Sequence, residues 1–197
     1  MTVSYKAIGL VVLPAVLLVA STSLRGQSAA EVFTATAAVK TAGGASASAP
    51  VTISIDRKMS PREAETLTAA FKSGGAAALR KALVGVAPTG SVKLGGASAT
   101  PTRLTIERAS GRGRLLTMVT DQPVLFVGGG MPGAKPKEGY DFAVIDIEVD
   151  GSGNGAGTLA PAAKIKLNQD AFVVEDYGAE QVELKDVAKK GAAKPAK

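Results

Sequence analysis

Histidine, cysteine and tryptophan are absent from the 197 residues. No imidazole is available as a base or haem ligand, no thiolate as a nucleophile, and no Cys/His set for zinc, so most familiar catalytic and metal machinery is excluded at once. Disulfides are excluded too, and the fold has to be held by packing alone. Aromatic residues make up 4% of the chain, too few for the ring platforms that bind sugars or single-stranded nucleic acid. No serine stands in a Gly-x-Ser-x-Gly elbow, and none lies three residues before a lysine, which removes serine-hydrolase chemistry.

Net charge is +6, but the excess sits at the ends: Lys6 and Arg25 at the start, Lys189, Lys190, Lys194 and Lys197 at the finish. Between them 17 basic residues balance 17 acidic ones, so the pI near 9.6 is no sign of a nucleic-acid groove. The start also has the order of a secretory signal. Lys6 precedes the apolar run Ala7 to Ala20, and the small, polar stretch Ser21 to Ala30 follows, with cleavage expected after Ser21, Ser23 or Ala30. The run is too short to span a bilayer and is broken by Pro14. Residues 1–30 are therefore read as a signal peptide of a secreted, periplasmic or extracellular protein, and 188–197 as a disordered Lys/Ala/Pro tail capable of weak contact with anionic envelope polymers.

What remains, 31–187, is the size of one domain. Leu, Ile, Val and Phe supply 37 of the 167 residues after Ala30, a thin core, and Val plus Ile outnumber Leu by 21 to 11, which favours strands. Alternation marks strands at 32–40, 51–56, 92–94, 103–107, 115–120, 140–150, 163–168, 172–176 and 181–187, and Val124–Val127 is apolar on both faces. On the 140–150 strand Ala143, Ile145, Ile147 and Val149 face the core. The Gly/Ala/Ser/Thr stretch 41–49 reads as a loop. Ser60-Pro61-Arg62-Glu63 is a capping box with proline in the first turn, and Ser73-Gly74-Gly75 reads as a stop between two short helices. The expected fold is α+β, a largely antiparallel sheet of about seven to eight strands with one helical hairpin (61–84) packed on it; a β-sandwich with a helical insertion is the alternative.

Three places carry candidate chemistry. Asp150, Ser152 and Asn154, with Gly155 next, match the front half of a calcium loop, but Pro161 stands where its bidentate glutamate belongs. The competing reading is a hairpin in which Asp146 faces Lys166 and Glu148 faces Lys164, with 151–157 as its flexible loop. The glycine-rich run Gly128 to Lys135 resembles a phosphate loop, yet Pro136 occupies the Ser/Thr position and no helix follows. Asp141 is the acid that falls on an apolar-face parity, and carboxylate-only hydrolysis needs two acids from anywhere in a chain. No catalytic residue and no cofactor is assigned, calcium apart. The function expected is a non-catalytic exported structural or interaction module of the cell envelope; the alternatives are a carboxylate-based hydrolase and a calcium-stabilised binding module.

Overall fold

A computed structural model describes residues 30–40, 44, 46–124, 138–169, 171–177 and 181–191. Residues 1–29 of the expected signal, 125–127, the glycine-rich segment 128–137 and the last six residues of the expected tail lie outside the described residues. The chain runs β1 (Glu31–Lys40), β2 (Ser46–Ile55), α1 (Pro61–Val84), β3 (Gly90–Leu94), β4 (Thr100–Ser110), β5 (Gly113–Thr120), β6 (Phe142–Val149), β7 (Asn154–Asn168), β8 (Ala171–Tyr177) and β9 (Val182–Lys189). None of the described helices is long and apolar enough to cross a membrane.

The expected open sheet with a helical hairpin is overturned, and so is the sandwich: eight strands close into an antiparallel barrel. Neighbours pair in the circular order β1-β2-β3-β4-β5-β6-β7-β9, and β9 pairs back with β1 through contacts such as Ala37 with Leu184. The ninth strand, β8, lies outside the ring on the far half of β7. Alternation along a strand is the same whether a sheet is open or closed. What distinguishes them is the β1–β9 pairing, made between residues some 150 positions apart, and this leaves no local trace.

The lumen is filled by side chains. Phe33, Ile53, Leu116, Met118, Ile145, Ile147 and Leu159 meet there with essentially no solvent exposure, and Ala35, Ala37 and Ala143 fit between them. Burial of each large side chain stabilises the fold by about 1.5 to 3 kcal/mol. The β6 face expected to be inward is the lumenal one. Outward positions such as Thr34, Thr36, Thr52, Lys93, Glu183 and Lys185 are polar and exposed, the reverse of a membrane barrel, which is apolar outside.

A second core lies outside the wall. The 61–84 segment is one helix, α1, kinked where Gly74 and Gly75 leave helical geometry, and its Leu67, Leu79 and Leu83 pack on Leu104, Val119, Phe142 and Val144. Phe71 meets Phe172 of β8 edge to face, centroids 5.8 Å apart. Helix entry is fixed as the capping box requires: Ser60 Oγ accepts from Glu63 N at 3.3 Å, and Ser60 N donates to Glu63 Oε2 at 2.9 Å. The outer face of β4 is covered by α1 and is apolar. Leu104 and Ile106 face the helix, while Thr105 and Glu107 share the lumenal side with their partners Met118 and Leu116.

Two register expectations also change. Across the β6–β7 hairpin Asp146 faces Thr158 and Glu148 faces Ala156, not the lysines. Gly155 and Gly157 are strand residues, since a Cβ at either would lie 1.8 or 2.2 Å from a carbonyl oxygen of β6, and only glycine permits so close an approach. The strand pair therefore starts just after a short turn, and Lys166 and Lys164 move up to face Val173 and Asp176 of β8. Likewise Ser46 to Ala49, read as loop, form the first four residues of β2 opposite Ala37 to Lys40.

Candidate functional site

One mouth of the barrel, at the starts of β1 and β5, is closed by charge. Glu31 and Arg114 have the same inward parity as Phe33 and Leu116 but stand on opposite walls. Arg114 bridges the mouth and donates from Nη1 and Nη2 to the two oxygens of Glu31 at 2.9 and 2.8 Å. Lys189, facing Phe33 across β1–β9, donates to Glu31 Oε1 at 2.6 Å. Arg114 also reaches Glu107 at 3.1 Å, and Glu107 is paired with Lys58. The guanidinium lies over the Phe33 ring, 5.9 Å from its centroid. The chain Lys189, Glu31, Arg114, Glu107, Lys58 thus ties β9, β1, β5, β4 and the α1 approach together.

Charge-assisted hydrogen bonds from Arg114, supported by Lys189, overcome the penalty of burial and hold the Glu31 carboxyl down at about 2. Burial acts against Glu107 as well, but Lys58 and Arg114 keep it below the usual carboxylate range. Sequence reasoning missed this plug. The signal was present in one residue: extending the 32–40 alternation back by one position puts Glu31 on the face of Phe33 and Ala35.

The candidate calcium residues do come together, as a turn. Asp150 Oδ1 accepts from Ser152 N at 2.8 Å, Ser152 Oγ at 2.7 Å and Asn154 N at 3.0 Å, while Asn154 Nδ2 donates to Ser152 Oγ at 2.9 Å. Backbone bonds Asp150 N to Asn154 O and Gly153 N to Asp150 O close the hairpin. These donors, the Ser152 hydroxyl first, hold the Asp150 carboxyl below its usual range. Ser152 and Asn154 are thus turned toward Asp150 and one another. Beside the turn is a groove of about 470 Å³ lined by Arg112, Glu148, Asp150, Asn154, Gly155 and Ala156. Among the described residues no three acids converge as a metal set.

Asp141 is half exposed at the foot of β6 and pairs with Arg80 of α1 at 3.4 Å. Asp146 is different. It lies on the outer wall, and burial raises its carboxyl above the usual range; a 2.6 Å hydrogen bond from Thr117 Oγ1 and the more distant charge of Arg108 only partly offset this. Burial and the charge of Asp146 together raise the Tyr177 hydroxyl. A desolvated acid of this kind can hold a proton for transfer, and no other acid here is raised in this way among the described residues.

No family of known proteins matches this chain, nor does any curated protein or any solved structure.

Proposed function

We propose that the protein is a non-catalytic module exported to the cell envelope, where it serves a structural or interaction role. The observation that carries this reading is the solid lumen: a barrel whose axis is filled by Phe33, Ile53, Met118, Ile145 and Leu159 is a scaffold and not a container. The polar outer wall and the order of charge, apolar run and small residues at the start of the chain support export into water. The acids support it too, being spent on structure: Glu31 on the plug, Glu63 on the helix cap, Asp121 on Arg103, Asp150 on its own turn.

The test is expression of the full chain followed by fractionation and intact-mass measurement. The expected product lies outside the cytoplasm and is shortened after residue 21, 23 or 30; an intact cytoplasmic chain overturns the export reading. A second reading, carboxylate-based hydrolysis, is favoured by the raised acid Asp146. Turnover of glycoside or ester probes that is lost in Asp146→Asn would establish it; the expected result is no turnover by the wild type.

A further inference from the structure

The β2 edge is paired for only half its length. Val51 to Ile55 bond to β3, but β3 ends opposite Val51 at Leu94, and the last bond on that side is Gly95 N to Pro50 O at 2.8 Å. Successive residues of a strand direct their backbone groups to opposite sides. Pro50 faces the β3 side, so Ser48 and Ser46 do as well, and among the described residues no strand meets them there. Among the described residues their two amides and two carbonyls form an open edge.

Open edges in stable proteins are normally guarded by charge. The outlying strand β8 has Glu175 and Asp176, but residues 41–50 contain no charged side chain at all. Ser46 and Ser48 are exposed on the outer face, and Ala47 and Ala49 are small and lean on the lumenal core. We propose that this edge is a self-pairing surface, on which two copies of the chain join β2 to β2 in antiparallel fashion about a two-fold axis at Ala47.

The edge is its own complement in that register. Ser46 of each copy lies opposite Ser48 of the other, and the two pairs exchange four N–H to O bonds. Ala47 meets Ala47 in the intervening position, where side chains approach most closely and a small one is required. Pro50, which lacks an amide and whose carbonyl is already taken by Gly95, lies beyond the patch, so the pairing is confined to Ser46, Ala47 and Ser48. Four hydrogen bonds on so small an area give a weak dimer that forms with rising concentration. The inference rests on β2 geometry and is independent of the export reading.

Because the chain has no cysteine, Ala47→Cys places a single thiol on the axis. Under mild oxidation it is expected to form a disulfide-linked dimer about tenfold faster than Lys93→Cys, an exposed control on β3, because pairing raises the local thiol concentration. Sedimentation equilibrium of the otherwise unaltered chain is expected to show dimer increasing with concentration. Ser46→Lys combined with Ser48→Lys sets like charges opposite each other and is expected to abolish it, whereas Ser46→Lys combined with Ser48→Glu sets opposite charges together and retains it. Both serines are exposed, so these variants test pairing without touching the core. A chain monomeric at all concentrations overturns the proposal. So does a dimer indifferent to the Lys/Lys pair, which places the contact elsewhere, or cross-linking of Ala47→Cys no faster than the control.

Discussion

Glu31 at the plugged mouth and Asp146 on the outer wall are both drawn out of water, yet their acidities move in opposite directions. Glu31 is nearly covered, its side chain 9% exposed, but receives three charged hydrogen bonds from Arg114 and Lys189. Asp146 receives one neutral bond from Thr117 and has a more distant arginine. Depth of burial alone does not decide whether a carboxylate supports a fold; the number and charge of its donors does.

The largest effect that would break this contrast is loss of the plug. Glu31→Ala leaves Arg114 buried with only Glu107 as an anion, and urea unfolding is expected to show a loss of about 3 kcal/mol. Adding Arg114→Met, which removes the stranded charge and keeps the stem on Phe33, is expected to restore most of it. The same residue shapes the acid limb of stability. Its folded carboxyl, at about 2, lies below the ordinary 4.5, so its contribution is complete above pH 4.5 and is lost as pH falls toward 2. In Glu31→Gln that step is expected to vanish from a plot of unfolding free energy against pH.

Asp146 sharpens the contrast with the opposite sign. Its folded carboxyl is raised, so the charged form costs stability at neutral pH, and the cost is relieved as pH falls through that raised value and is gone below the ordinary 3.8. Asp146→Asn keeps an acceptor for Thr117, and calorimetry is expected to show a higher Tm than the wild type at pH 7, a gain that disappears in acid. The smallest effect belongs to Asp150. Asp150→Ala loses the turn bonds and is expected to lower Tm less than Glu31→Ala does, with the wild-type Tm equal in calcium and in chelator.

The legible parts of this molecule were those governed by near neighbours. The inward face of β6 and the Ser60 capping box both rest on contacts within a few residues. The plug and the closure depend on residues such as Glu31 and Arg114, 83 positions apart, and no local pattern connects them. Two misreadings came from small residues. Gly155 and Gly157 resemble a loop because close approach of two backbones calls for the same residue type as flexibility, and Ser46 to Ala49 resemble one because strands need no large side chains where the pleat is thin. On β4 the α1 cover makes the outer face apolar as well, so parity there does not tell inside from outside.

The ring is completed by β1 with β9, the earliest and latest strands described, and Lys190 N donates to Val32 O at 2.7 Å beside that seam. The ladder therefore stays unfinished until β9, some 150 positions after β1, is available to pair. That separation makes β9 the latch that turns a loose ribbon into a closed body.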